Sequence, residues 1–231
     1  MTFKRGFDIC LSAAGLLIAA PVLLLAGLAI RMASPGPILY RARRAGRNGE
    51  TFVMHKLRTM HHAPQAAGSP ITGVADTRVF PVGSFLRKTK IDELPQLYDV
   101  LRGKMSIVGP RPEDPQMVAD HYGPDGWETL KVLPGLSSPG ALFHYLYAED
   151  YLSRGDLHET YVRDVMPRKL ALDVQYVRRH SLGVDLGIIF RTLVTIVLIA
   201  AGKRELGREL DRWCSSRRIE VAQRGAVGCD S

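Results

Sequence analysis

From Ile9 to Ile30 the chain carries no charged side chain: ICLSAAGLLIAAPVLLLAGLAI. A straight helix of this length, at about 1.5 Å per residue, just crosses a hydrocarbon core roughly 30 Å thick. A secretory signal peptide has an apolar region of about 7–15 residues followed by a small-residue cleavage site. Here the run is longer and leads into Arg-rich sequence. A plain transmembrane anchor conflicts with Pro21, which removes a backbone donor near the middle and kinks the helix. The halves Ile9–Ala20 and Val22–Ile30 are each too short to span. The flanks disagree with a single crossing too. Lys4 and Arg5 precede the run, and Arg31, Arg41, Arg43, Arg44 and Arg47 follow it. The tendency of cations to stay on the cytoplasmic side puts both ends there. A re-entrant helical hairpin over residues 1–33, turned at the Pro21 membrane kink, meets both constraints.

The remaining composition narrows the partner. Of the chain's 231 residues, 31 are Lys or Arg and 23 are Asp or Glu, a net charge of +8. Such a balance suits phosphate ligands, nucleic acid or an anionic membrane surface. Nucleic acid is set aside, because few aromatics interleave with the basic runs and no nucleic-acid motif appears. Three widely spaced cysteines, Cys10, Cys214 and Cys229, give neither a disulfide framework nor a zinc pattern.

Ser34-Pro35-Gly36-Pro37 ends the membrane segment. Two short apolar runs, Ile38–Tyr40 and Thr51–Met54, flank a basic, Gly-containing loop and predict a small β-hairpin. His61 to Asp76, rich in Ala, Gly, Pro and Ser, reads as a loop. His55, His61 and His62 read as solvated loop histidines rather than metal ligands. Apolar positions at spacings of three and four predict one helix over Phe85–Leu101 and another within Tyr161–Arg179. Pro134-Gly135 and Pro139-Gly140 read as turns. The second apolar stretch, Leu182–Ala201, is interrupted by Asp185 and Arg191 and predicts an interfacial helix. The expected organisation is therefore a membrane segment at 1–33, a catalytic domain at 34–202 and a basic, flexible tail at 203–231. The fold class is α+β, mostly helical and membrane-associated.

Asp92-Glu93-Leu94-Pro95 is the most informative polar cluster. Pro95 is tolerated only in a first helical turn, so Asp92 is expected at a helix N-cap, or in the first turn of a helix capped by Thr89. The helix dipole and the adjacent Arg87, Lys88 and Lys90 would keep Asp92 ionised and draw in phosphate. On spacing alone the plainer reading, a capping Asp beside a solvated Glu, stands ahead. Arg111 lies between two prolines in Gly109-Pro110-Arg111-Pro112, which aims its guanidinium for bidentate phosphate contact or simply exposes it on a turn. Lys56 and Arg58 add two cations after the hairpin, or a solvated basic edge.

In order along the chain come Lys4-Arg5-x-Phe7-Asp8, the apolar run broken by Pro21, Ser34-Pro35-Gly36-Pro37-Ile38 and Lys56-Leu57-Arg58-Thr59-Met60. Then follow Leu86-Arg87-Lys88-Thr89, Asp92-Glu93-Leu94-Pro95-Gln96-Leu97 and Met105-Ser106-Ile107-Val108-Gly109-Pro110-Arg111-Pro112. Several motifs in this order are far more specific than any one alone. Over roughly residues 3 to 195 the chain resembles the bacterial sugar transferases, the monotopic polyprenyl-phosphate phosphoglycosyl transferases. It departs from their common pattern at Ala20, where Ser is frequent, at Lys90-Ile91, and at Gly135-Leu136-Ser137-Ser138-Pro139-Gly140.

The resemblance implies a catalytic domain on the cytoplasmic face of the bacterial inner membrane. It implies transfer of a phosphosugar from a nucleotide sugar, typically a UDP-sugar, to polyprenyl phosphate, which starts a lipid-linked glycan such as an exopolysaccharide. Asp92 would be the nucleophile, forming an aspartyl phosphosugar and releasing UMP. Glu93 would complete the dyad, and Mg²⁺, held by Asp92, would offset the phosphate charge. Lys56, Arg58, Arg87, Lys88 and Arg111 would bind substrate. A rival expectation is a non-enzymatic membrane adaptor with a basic lipid- or protein-binding surface, in which Asp92 has no chemical role.

Overall fold

A computed structural model describes residues 2–61, 76–152 and 156–211. The long helix α1 runs from Thr2 to Ala33, with Pro21 inside it. The helical run continues through Pro21, the residue expected to turn the segment back in the membrane. The buried positions Asp8, Ser12, Ala19, Ala26 and Ile30 recur along one face, while Leu17, Ile18, Leu24, Leu25 and Leu28 are exposed. That spacing is the one-sided stripe of a helix lying against a domain. Both ends are tied to it. Arg5 donates to the carbonyls of Val100 and Leu101, and Asp8 accepts from Ser106 Oγ and the Ile107 backbone N–H. At the other end, Ile30 packs with Leu57, Phe80 and Leu86.

Strands β1 (Leu39–Ala45) and β2 (Thr51–Leu57) form the expected antiparallel hairpin, with Leu39 opposite Leu57 and Ala45 opposite Thr51. It is longer than the apolar runs indicated. Arg41, Arg43 and Arg44 are strand residues, and the connection is a short turn with Asn48 and Gly49 at positive φ. Phe52 and Met54 point into the core and Val53 points out, the period-two alternation of a half-buried strand.

The single helix expected over Phe85–Leu101 is two. Helix α2 spans Pro81–Thr89 and ends where Lys90 enters the left-handed region at φ 59°. A 3₁₀ turn, Ile91–Glu93, leads through Leu94 and Pro95 into α3 (Gln96–Leu101). Strand β3 (Ser106–Val108) follows, then α4 (Pro115–His121) and α5 (Pro124–Thr129). The expected turn at Pro134-Gly135 opens a short strand, β4 (Gly135–Ser137), parallel to β3. Gly109 and Gly135 approach so closely that a Cβ on Gly135 would lie 2.1 Å from the Gly109 nitrogen. Only glycine leaves room for this crossing, and the crossing fixes the start of the Pro110-Arg111-Pro112 segment.

Pro139-Gly140, also read as a turn, opens helix α6 (Pro139–Leu152). A proline in a helix's first turn removes a donor the helix does not need. Helix α7 (Leu157–Thr160) comes next, and the region Tyr161–Arg179 holds a π turn (Tyr161–Val165) and the expected helix, α8 (Met166–Arg179). Val174 is buried, alongside Lys169, Asp173 and Tyr176. Helix α9 (Leu182–Ala200) buries Ile188, Thr192 and Thr195 and exposes Leu186, Phe190, Leu193 and Val197. Among the described residues, α1 and α9 are the two helices long and apolar enough to cross a membrane.

The tail expected to be flexible from residue 203 begins with a helical stretch, 204–211. Arg208 donates to the Leu146 carbonyl and pairs with Asp150, and Asp211 pairs with Arg191. Residues 212–231, His62 and most of the expected loop at 61–76 lie outside the described residues.

The candidate active site

Two acids adjacent in sequence have opposite surroundings. Glu93 is buried, and both its oxygens are engaged. Arg111 donates to it through Nη1 to Oε2 at 2.9 Å and through Nη2 to Oε1 at 2.6 Å. Lys56 Nζ donates to Oε1 at 3.1 Å, and the Tyr145 hydroxyl to Oε2 at 3.3 Å. Burial alone would raise the Glu93 pKa, but Arg111, Lys56 and Lys90 outweigh it and hold the carboxyl well below the usual range. Asp92 is also buried, yet its Oδ1 has no hydrogen-bond partner. Burial, joined by the negative charge of Glu93, pushes its pKa up against the pull of Lys56, Lys90 and Arg87.

The local fold explains each placement. Lys56 continues the inward face of β2 begun by Phe52 and Met54, so its stem enters the core and its ammonium meets Glu93. Lys90 ends α2 in a left-handed conformation that costs a non-glycine residue about 1–2 kcal/mol. Its ammonium then sits 3.9 Å from the centre of the Tyr145 ring. Burial, opposed by Glu93, lowers the Lys90 pKa to about 8, and burial also lowers that of Lys56. Arg111 is aimed from the segment that the β3–β4 crossing fixes, and its Nη1 also donates to the Tyr145 hydroxyl at 3.1 Å.

Several expectations change. Asp92 caps no helix: it lies in the 3₁₀ turn, and Pro95 is the residue preceding α3. Thr89 does not cap either, since its hydroxyl turns back to the carbonyls of Phe85 and Leu86. The surroundings do not simply hold Asp92 ionised, because burial and Glu93 oppose the cations. Arg111 offers no free fork to a phosphate, because Glu93 occupies it. Arg58 stands apart from the dyad. Its Nε donates to the Pro37 carbonyl at 2.6 Å, its Nη1 to Ser34 Oγ at 2.9 Å and its Nη2 to the Ser34 carbonyl at 2.7 Å. It clamps the end of α1 to the hairpin. Lys88 is exposed, while Arg87 is near enough to lower the Asp92 pKa. His55 is a strand residue, with Nδ1 bonded to Asp99 Oδ1 at 2.7 Å, and not a solvated loop histidine.

Residues the sequence did not single out complete the region. Tyr145 and His144 come from α6, the helix hidden behind Pro139-Gly140. His144 is held neutral, its pKa lowered to about 3 by burial and then by Lys169, Arg111 and Lys90. Behind Arg111, Glu113 accepts from Lys169 Nζ at 2.5 Å and from the Tyr161 hydroxyl at 2.6 Å. Asp173 accepts the Gly140 backbone N–H at 2.8 Å. The only local signal for this second network is that Glu113 follows Pro112 directly. Lys169 had none.

Among the described residues no three His, Cys, Asp or Glu side chains form a metal cage. Mg²⁺ seldom needs one: it commonly takes one or two carboxylate oxygens and completes its shell with water and substrate phosphates. The unpartnered Asp92 Oδ1 fits that role, and Glu93, with both oxygens engaged, does not.

Comparison with known proteins places the chain in a family. The family profile described as bacterial sugar transferase matches residues 1–199. The chain is 38% identical over 199 residues to the undecaprenyl-phosphate glucose phosphotransferase of Komagataeibacter xylinus, covering 84% of this chain and 35% of that protein. It is 38% identical over 197 residues to the UDP-glucose:undecaprenyl-phosphate glucose-1-phosphate transferase of Caulobacter vibrioides, covering 84% and 69%. It is 33% identical over 201 residues to the exopolysaccharide production protein PSS of Rhizobium leguminosarum, covering 84% and 95%. The chain thus spans about a third of the first relative's length and nearly all of the third's. A profile match over most of its length, carried through the Asp92-Glu93 and Arg111 segments, shows that this chain belongs to the bacterial sugar transferase family.

Proposed function

We propose that the protein transfers a phosphosugar from a UDP-sugar to undecaprenyl phosphate through a covalent intermediate on Asp92. One observation carries this reading: of the four oxygens in the acid pair, Glu93's two are engaged, whereas Asp92 Oδ1 is unpartnered and ringed by cations. In the first step the Asp92 oxygen bonds to the sugar-bearing phosphorus. The bond from that phosphorus to the bridging oxygen breaks, and the electron pair leaves with UMP. In the second step an oxygen of the lipid phosphate attacks the same phosphorus, and the bond to Asp92 breaks. Splitting one transfer into two displacements is the advantage of a covalent nucleophile. Lys56, Lys90 and Arg87 supply positive charge where the diphosphate enters, and positioned charge is the main catalytic lever in phosphoryl transfer. Mg²⁺, held by Asp92 and the substrate phosphates, would neutralise part of the remaining charge.

The same reading puts the protein on the cytoplasmic face of the inner membrane. Helix α1 enters one leaflet and returns, its basic flanks resting on anionic lipid. Both ends of α1 are tied to one domain, which supports this topology over a crossing. Tags at Thr2 and after Gly36 that report opposite compartments would exclude it. The activity itself is tested by incubating the purified protein with a panel of UDP-sugars, Mg²⁺ and undecaprenyl phosphate, and measuring UMP. Release with one donor is expected. No UMP with any donor would favour the non-enzymatic adaptor.

A further inference from the structure

The end of the hairpin nearest α1 is apolar and open to solvent. Ile38, Leu39 and Tyr40 are consecutive, and they are 39%, 42% and 55% exposed. At one end of this run Ile38 rests on α1: a Cβ on Gly27 would lie 3.4 Å from Ile38 Cγ2. Leu24, one turn before Gly27 on the helix, is 75% exposed. At its other end the run meets the acid pair. Tyr40 is paired directly with Lys56 across the antiparallel strands, and side chains so paired share a face, with Cβ atoms about 4.5–5.5 Å apart. Lys56 Nζ in turn donates to Glu93 Oε1 at 3.1 Å. The two ends are close, because an extended chain advances about 3.3 Å per residue and only Leu39 separates Ile38 from Tyr40. A line of exposed apolar side chains therefore leads from α1 to a cation of the active site. Apolar side chains left in water beside such a site mark a ligand surface.

We propose that Leu24, Ile38 and Tyr40 carry the first isoprenoid units of the polyprenyl phosphate acceptor and bring its phosphate to Lys56. The inference rests on the function proposed above and adds to it the place where the acceptor binds. A polyprenyl phosphate has an apolar tail and an anionic head, and the surface has matching chemistry in the same order. Leu24, Ile38 and Tyr40 face the tail, and the Lys56 ammonium faces the head. Lys56 has three N–H donors, of which Glu93 takes one. A UDP-sugar is polar along its whole length and gains nothing from such a strip. The acceptor's tail leaves the leaflet beside α1 and stays on apolar side chains up to the acid pair, so little hydrocarbon meets water on the way. Tyr40 suits the last position, since its ring offers an apolar face while its hydroxyl stays wet.

The test compares the full-length wild type with the double variant Ile38→Thr, Tyr40→Ser, which keeps a β-branched residue in the first position and makes both polar. Each protein is bound to phospholipid vesicles that contain undecaprenyl phosphate. The acceptor KM is measured as a mole fraction in the vesicle, beside the KM for the UDP-sugar and the extent of vesicle binding. The acceptor KM is expected to rise about tenfold or more, with the UDP-sugar KM and vesicle binding within about twofold of wild type, the pattern of lost acceptor binding alone. An acceptor KM within about twofold of wild type would overturn the proposal. So would a loss of vesicle binding that accounts for the whole effect, which would give the strip to bulk lipid. If the variant does not unfold cooperatively, photolabelling of the wild type decides. An undecaprenyl phosphate analogue with a diazirine on the isoprenoid unit next to the phosphate should label residues 24–40, and labelling confined to other segments would overturn the proposal. UMP release by the wild type separates the two readings. With release, a failed arm overturns the acceptor site alone; with no release from any UDP-sugar, the proposed function falls and this site with it.

Discussion

Arg111 grips Glu93 through two parallel hydrogen bonds, at 2.9 Å and 2.6 Å, and this grip divides the labour between two acids adjacent in the chain. Glu93 becomes a fixed anion that anchors Lys56, Arg111 and Tyr145. Its negative charge in turn helps to raise the pKa of Asp92. The dyad is thus one fully engaged carboxylate beside one that keeps an unpartnered oxygen, and the difference arises from which of them meets Arg111, whose segment the β3–β4 crossing fixes.

Arg111→Lys keeps the charge but loses the planar fork. Catalytic efficiency is expected to fall tenfold or more, in line with about 1.5–3 kcal/mol for a charge-assisted hydrogen bond. Because the effect passes through Glu93, Arg111→Lys and Glu93→Gln should be strongly non-additive in a double-mutant cycle. A wild-type rate in Arg111→Lys, or simple additivity, would detach Arg111 from Glu93 in function. Arg111→Ala leaves Glu93 buried without its main counter-charge, and a stability loss of about 3–5 kcal/mol is expected from thermal or denaturant unfolding.

Arg58→Met tests a different kind of arginine. It removes three donors from Ser34 and Pro37, the clamp between the end of α1 and the hairpin. A loss of about 2 kcal/mol or more in stability is expected, with little change in the KM for UDP-sugar. A raised KM with unchanged stability would return Arg58 to the substrate site.

Much of this was legible before any coordinates. The uncharged run identified α1, and the β-rich runs around a Gly-containing turn identified the hairpin. Lys56, Asp92, Glu93 and Arg111 were named from residue type and spacing. Their pairing was not legible, because Lys56 and Arg111 reach Glu93 through contacts distant in sequence. The break between α2 and α3 escaped because Lys90, rather than glycine or asparagine, takes the left-handed position, and the apolar spacing continues across it. Helix α6 escaped because Pro139-Gly140 has the composition of a turn, and with it went Tyr145 and His144. Strand β4 has only Gly135, Leu136 and Ser137, and its conformation comes from pairing with β3 rather than from propensity.

Stability should depend on pH through Asp173. Burial raises its pKa from 3.8 to about 6, against the hydrogen bonds it accepts from Gly140 and Ser138. A carboxyl with a raised folded-state pKa favours the fold at low pH, and that contribution is lost as pH rises from about 4 through about 6. At about 1.4 kcal/mol per unit the full effect is roughly 3 kcal/mol at most. Glu113, lowered to about 2, stays ionised across this window. Asp173→Asn should therefore lose much of the difference in unfolding temperature between pH 4.5 and pH 7.5. An unchanged pH profile in the variant would remove Asp173 as its source.

Metal removal addresses the charge balance. A diphosphate approaching a carboxylate in a partly dry site meets repulsion of several kcal/mol. Dialysis against EDTA is expected to abolish UMP release, and added Mg²⁺ to restore it. Full turnover in EDTA would leave Lys56, Lys90 and Arg87 as the whole of the neutralising charge.

The most direct measurement is the mass of the protein after mixing with its UDP-sugar in the absence of lipid acceptor. A covalent route lets UMP leave before the acceptor is needed, so peptide mapping of the wild type should locate one phosphosugar on Asp92. Asp92→Asn should fold and bind membrane as the wild type does and carry no adduct. An adduct on Glu93, or turnover by Asp92→Asn near the wild-type rate, would contradict the account.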